Sequence, residues 1–387
     1  MGYALKSPKG DSEKSRLTSR IREEARRLGF FRMGVAPAGP LPGQDHFGQW
    51  IKAGMHGEMA YMDSQAEKRR DPRLVLENAR SIVVLAMNYH CGRNLTDEPL
   101  KGRISRYAWG DDYHLLIKDR VKQLQRFITR EVPQARGLSY VDTGPVMEKI
   151  WGARTSLGWM GKHTNLITQE QGSWFFIAVI LLNLELEYDS PLDDHCGTCM
   201  RCIDACPTKA IIAPYVVDAR LCISYLTIEL RGPIPRELRP LIGNRIYGCD
   251  DCQEVCPWNR FAVRSPEQGF EPRDGNLMPE LTRLVQLTPA EFNKRFERSA
   301  IRRAKRDGFV RNVVVALGNS HRPEAVAALR HATKDPSALV RAHAMWALGQ
   351  IRTMESRQLL ESASAGESDP EVRREIALAL DQAPRTI

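Results

Sequence analysis

The sequence of 387 residues has no apolar run long enough to cross a membrane. Its longest, WFFIAVILL from Trp174 to Leu182, is about half a span and reads as a buried strand. The stretch MGYALKSPKGDSEKSR lacks the apolar centre and small-residue cleavage site of a secretory signal, so a cytoplasmic protein without membrane association is expected. No G-x-G-x-x-G follows a strand and no Walker loop is present, which removes the usual written forms of a nicotinamide or ATP site. No heptad seam argues for association, and a monomer is expected. Cysteine is not scarce but is unevenly placed: of nine, eight fall between Cys196 and Cys256. In a cytosolic chain such clustering points to metal rather than to disulfides, and Cys91, standing alone, reads as an ordinary buried thiol.

Lys and Arg outnumber Asp and Glu by 56 to 47, a formal charge of +9. That balance favours an anionic partner, although many basic proteins bind none. Residues 1–17 read as a disordered tail, with a first helix from Ser19 to Leu28 ended by Gly29. HFGQWIKAGMHGEMAYM has a helical pattern, DDYHLLIKDRVKQLQRFITREV an amphipathic one, and FFRMGVAPA, ARSIVVLAMNY and GLSYVDTGPV read as strands. Helix and strand thus alternate, and an α/β domain is expected over 18–190. Cysteines and turns replace the periodicity over 191–260, a connecting segment spans 261–305, and the rest is helical. FVRNVVVALGN (from Phe309), LVRAHAMWALGQ (from Leu339) and EVRREIALALDQ (from Glu371) recur at offsets of 30 and 32 residues. They share a V-R start and an apolar helix, as in short HEAT-type repeats over 306–387, where each unit stacks on its neighbour to bury its apolar face.

Cys196, Cys199, Cys202 and Cys206 fit C-x2-C-x2-C-x3-C-P, the bacterial ferredoxin spacing for 4Fe-4S clusters, in which the cysteine before proline turns to the other cluster. YGCDDCQEVCPWN supplies Cys249, Cys252 and Cys256, and Cys222 lies 27 positions before Cys249, separated by an insertion. By the crossover rule one cluster takes Cys196, Cys199, Cys202 and Cys256, and the other takes Cys206, Cys222, Cys249 and Cys252. Two structural zinc sites are the alternative, but zinc has no use for a third cysteine two residues on or for a repeated C-P ending. Two such clusters pass single electrons; they do not choose a substrate.

HGEMAYMDSQAEKRRDPRLVLENARSIVVLAMNY, ISRYAWGDDYH, YVDTGPVMEK, LGWMGKHTNLI, CGTCMRCIDACPTKAI, CISYLTIEL and GCDDCQEVCPWN together resemble, in this order, the epoxyqueuosine reductase family. The resemblance runs from about Thr18 into the repeats. It implies an α/β corrinoid-binding domain, a ferredoxin-like double-cluster domain and a HEAT-type tail. It also implies cobalamin, two 4Fe-4S clusters, a tRNA substrate with epoxyqueuosine at the wobble position, and an external low-potential electron donor. The cobalamin motif D-x-H-x-x-G is absent, because Ile117 stands where DDYHLLI would need glycine. A histidine from that motif is therefore not expected as lower ligand.

Asp142 in YVDTGPV matches the family's catalytic aspartate and is expected to donate a proton to the departing epoxide oxygen; without the resemblance it reads rather as a cap of the Thr143-Gly144-Pro145 turn. Asp142, Arg106, Lys162, Ser224 and Asp250 are expected to hold the cobalamin, and Asp112 and His114 to line the same pocket. Arg302, Arg303, Lys305, Arg306, Arg311 and Arg341, with Arg373 in the same repeat position, are expected to form a track for tRNA phosphates, unless they only brace adjacent repeats. A corrinoid reductase of small molecules, of the dehalogenase type, is a rival that leaves the basic tail without a task. A non-catalytic electron carrier is another, and it would show no corrinoid affinity.

Overall fold

A computed structural model describes residues 13–382 apart from Pro42, Gln44, Asn94 and Asp97. Residues 1–12 of the expected tail lie outside the described residues. Its remaining part is helical: α1 (Glu13–Arg27) begins before Ser19 and ends ahead of Gly29, whose φ of 91° few other residues adopt.

Four strands form the central sheet: β1 (Arg32–Pro37), β2 (Ser81–Asn88), β3 (Gly137–Tyr140) and β4 (Phe175–Leu182), in the order β1-β2-β4-β3. Every pairing is antiparallel, β2 and β4 registering from Ser81 on Leu182 to Asn88 on Phe175. Helices and strands alternate as expected, but the parallel sheet that an α/β reading implies is not what forms. The misleading signal is burial on both faces. Val83, Leu85, Phe176 and Ile180 pack under α1 and α2 (Tyr113–Glu131), while Ile82, Val84, Val179 and Leu181 pack against Trp151, Leu157 and Leu166. Strands covered on two sides read as continuous apolar runs whatever their direction.

The helical pattern around residues 46–62 is interrupted. Gly54 and Gly57 take positive φ and split it into the short helices His46–Lys52 and Ala60–Asp63. A Cβ at Gly57 would lie 2.4 Å from the Tyr225 hydroxyl, so this break lets the first domain approach the cysteine segment.

That segment is built of short pieces, among them the helices Arg201–Ala205, Ile223–Ile228 and Asp251–Glu254. Beyond it the three repeat motifs lie on long helices, Lys305–Asn319, Ala338–Ile351 and Pro370–Gln382, with Ala325–Ala332 and Met354–Gly366 between them. The long helices stack in sequence order, and glycines set their spacing: a Cβ at Gly318 would lie 2.8 Å from Ala347 Cα, and one at Gly349 2.8 Å from Ala379 Cβ. Gly318→Val should therefore destabilise the protein by about 1–3 kcal/mol despite valine's better helix propensity, because the opposing backbone has nowhere to go. Denaturant unfolding monitored at Trp346, which packs on the same spot, measures this; an unchanged midpoint would mean that the stack is loose.

Candidate active site and cluster cavities

Both cysteine sets line cavities. Cys206, Cys222, Cys249 and Cys252 face a cavity of about 560 Å³ at the junction of the sheet domain and the cysteine segment. Cys196, Cys199, Cys202 and Cys256 face a second, of about 230 Å³. These are the two groups of four that the crossover rule predicts. Among the described residues no three His, Cys, Asp or Glu side chains converge as on one metal ion. Backbone donors are aimed at the sulfurs: Ala210 N–H at Cys206 Sγ (3.2 Å), those of Ser224 and Tyr225 at Cys222, and those of Trp258 and Asn259 at Cys256. His163 lines both cavities. Its Nδ1 accepts from Asn165 N–H (3.2 Å), its Nε2 is buried without a partner, and burial pushes its pKa down to about 4, so it is neutral.

The larger cavity also holds Asp142. Sheet strand β3 ends two residues earlier, and Asp142 sits in the left-handed region at φ 55°, where Asp is tolerated better than most residues. Its Oδ2 accepts from the Tyr113 hydroxyl (2.7 Å), a phenol that burial and the carboxylate keep protonated. Around it stand Tyr61, Tyr89, Tyr107, Glu148, Lys149, Phe175 and Phe176. Asp142 and Lys149 are both exposed, and both line the cavity. Glu148 lies in the first turn of α3 (Glu148–Ala153), with Oε1 buried and unpartnered, and burial reinforced by Asp142 pushes its pKa up to about 8.

Of the residues expected at the cobalamin, Asp142 and Ser224 line this cavity. The other three are placed elsewhere. Lys162 lines the smaller cavity, its Nζ donating to the carbonyls of Gly197 (2.6 Å) and Cys199 (3.0 Å). The Arg106 side chain faces a surface groove between the rings of Trp109 and Trp174. Asp250 is buried, accepting from Ser105 Oγ and from Arg106 N–H (2.8 Å), which ties the two domains together. Asp112 and His114 pair with each other, Asp112 also capping α2, and neither is among the lining residues. Tyr113, between them, is the one that points inward. Sequence reasoning also missed Tyr61, Arg69, Glu148, Lys149 and His163, all within the motifs quoted above.

The basic track is corrected in part. Arg311 is fully buried and donates to the carbonyls of Leu226, Leu230 and Gly232. Arg306 is buried in a two-pronged pair with Asp335, and Arg341 holds Glu367 and the Asp335 carbonyl. These three fasten structure, and Arg311 has all five of its N–H donors engaged. Arg303 is half exposed, bound to Glu229 and set over the Tyr61 ring at the cavity mouth. Arg302, Lys305 and Arg373 are exposed.

Geometry and thiol chemistry define a two-cluster iron–sulfur oxidoreductase with a helical-repeat tail, and comparisons with known proteins agree. Family models for a 4Fe-4S double cluster binding domain, for "Epoxyqueuosine reductase QueG, DUF1730" and for HEAT repeats match residues 195–259, 69–143 and 299–381. The chain is 46% identical to the epoxyqueuosine reductase of Cellulophaga algicola over 76% of its own length and 95% of that protein's, and 43% identical to that of Xanthomonas campestris over 86% and 95%. A crystal structure of epoxyqueuosine reductase with an epoxyqueuosine-modified tyrosine tRNA stem loop superposes with a TM-score of 0.86 at 30% identity, covering 95% of this chain and 98% of that one. The Bacillus subtilis enzyme, in a structure with an aspartate-bearing catalytic loop swung out of its active site, gives a TM-score of 0.88 at 30% identity, covering 95% and 99%. This chain belongs to the epoxyqueuosine reductase family.

Arg311→Ala should cost roughly 3 kcal/mol of stability by orphaning three carbonyls. Bound to tRNA, the variant should keep the wild-type slope of affinity against salt. A slope reduced by one phosphate contact with stability unchanged would return Arg311 to the track.

Proposed function

We propose that this protein reduces epoxyqueuosine to queuosine at the wobble position of tRNA, and that the larger cavity is where the modified base is received. The observation that carries the reading is that Asp142 and one complete set of four cysteines face the same cavity. A proton donor and the last station of an electron path thus meet at one place.

The cavity also suits a corrinoid. Its aromatic wall (Tyr89, Tyr107, Phe175, Phe176) matches the apolar faces of a large ring, and the unpartnered His163 Nε2 awaits a polar group that the protein does not supply. Asp142 and Ser224 are the expected residues that would hold it; when bound, cobalamin would supply a reductant strong enough to break a carbon–oxygen bond. The thiolates of Cys206, Cys222, Cys249 and Cys252 would carry the cluster nearest the reaction. Those of Cys196, Cys199, Cys202 and Cys256 would carry the one that faces the external low-potential donor. The residues of the chain itself then have three tasks: the aromatic wall excludes water, Tyr113 holds the Asp142 carboxyl in place, and Asp142 gives its proton to the oxygen that leaves. Arg302 and Lys305, exposed at the mouth of the repeats, remain the residues for tRNA phosphates, with Arg303 beside the cavity entrance. The chain acts in the cytoplasm as a monomer in this reading.

The test is an anaerobic assay with cobalamin, a low-potential reductant and tRNA carrying epoxyqueuosine, read by nucleoside mass spectrometry. One oxygen should be lost with the wild type and none with Asp142→Asn; an unchanged nucleoside from protein with both clusters intact would move the reading to a small-molecule reductase. Cluster pairing has its own readout. Cys256→Ser should remove the same electron paramagnetic resonance signal as Cys196→Ser, and Cys206→Ser the same as Cys222→Ser. Loss of the signals in any other pairing would reject the crossover.

A further inference from the structure

Turning an epoxide into an alkene breaks two carbon–oxygen bonds, forms one carbon–carbon π bond and releases the oxygen as water. The balance needs two electrons and two protons on one oxygen. A low-potential one-electron reductant such as reduced viologen supplies the electrons in two steps. Asp142 carries one proton, so a second must be brought to the same oxygen before it can leave as water.

Three other carboxyl groups line that cavity; Glu229 is paired with Arg303 and Asp251 with Arg245, which leaves Glu148. Six residues after Asp142, it is delivered to the same cavity by the first turn of α3, and its Oε1 is buried with no hydrogen-bond partner. The charged groups around it are Asp142, Lys149 and Arg69. Neither cation neutralises it by contact: Lys149 Nζ is engaged by Asn165 Oδ1 (2.7 Å), and Arg69 donates to the Gly144 carbonyl (3.3 Å) and stacks over Tyr61. Burial and the Asp142 charge outweigh both cations and push the pKa up to about 8, so near neutrality the side chain holds a proton. A buried carboxyl oxygen left without a partner is a cost that structure alone does not explain.

We propose that Glu148 is the proton reserve of the reaction, reloading Asp142 across the cavity so that the departing oxygen receives its second proton. The inference rests on the reading of the cavity as the epoxyqueuosine site. Glu148 acts through Asp142 and is not itself placed against the substrate.

The sign of the pH effect follows: Glu148 serves when protonated, so kcat should fall as pH rises through about 8. With the cobalamin-reconstituted enzyme, reduced viologen and epoxyqueuosine tRNA stem loop, Glu148→Gln should lower kcat about a hundredfold with KM unchanged and abolish that alkaline limb. Glu148→Asp should restore part of the rate. A Glu148→Gln enzyme with wild-type kcat and the same limb overturns the proposal. A readout independent of turnover uses protein with both clusters and no cobalamin: infrared difference spectra should show a protonated carboxylic acid that titrates near pH 8 and vanishes in Glu148→Gln. Absence of that band from the wild type also overturns it. If the wild type itself fails to convert the stem loop, the site reading has failed; if the wild type converts it and the variant matches it, only the proton reserve has.

Discussion

The interaction on which the rest depends is the desolvation of sulfur. Enclosure by protein pushes the thiols of Cys202, Cys222, Cys249 and Cys252 upward, the first to about 11. A cluster needs each as thiolate, so the fold must surround buried anions with donors and cations that it cannot draw from water. Part of that comes from backbone N–H groups at the starts of short helices, where Cys222 and Cys256 occupy the capping positions. Lys149 adds positive charge from the sheet domain. The short, irregular pieces of the cysteine segment follow from this need: a long helix would satisfy its own amides and leave none for sulfur.

The insertion between Cys222 and Cys249 then has a structural account, and it runs through the repeats. Arg311 holds the carbonyls of Leu226, Leu230 and Gly232, Asn312 those of Thr227 and Ile246, and Asn319 those of Arg239 and Gly243. His343 accepts from Ile234 N–H (3.2 Å). A segment with too little regular structure to satisfy its own backbone is fastened to the one rigid surface nearby. The first repeats therefore act as a buttress for the segment that carries Cys222 and Cys249, and the hydrogen-bonding groups spent there are buried polar ones whose removal is costly.

How much of this was legible in the sequence depended on whether the signal was local. The cysteine sets were legible because cluster spacing is a short-range pattern, and the repeats because their apolar helices recur. The strands were found but not their direction, since burial on both faces gives one pattern for two topologies. The V-R motif misled because arginine reads as surface. The same repeat position is fully buried at Arg311, partly covered at Arg341 and exposed at Arg373. The difference is what lies against each helix, which no single repeat encodes. Asp112 and His114 drew attention as chemical side chains, yet neighbours on a helix point about 100° apart, and the inward direction fell to Tyr113.

That tyrosine explains how a strained residue can be held ready. Asp142 at φ 55° sits in a region that costs a non-glycine residue of order 1–3 kcal/mol unless its surroundings repay it. The hydrogen bond from Tyr113 contributes roughly 1.5–3 kcal/mol when its acceptor is charged. The two are comparable, so the loop is neither locked nor free. Protonation of Asp142 would weaken that bond, since a neutral acid is a poorer acceptor than a carboxylate. The charged form is thus the better anchored and the acid the freer to move toward substrate. In the proposed reaction, where this loop delivers a proton, that order of stabilities serves the delivery.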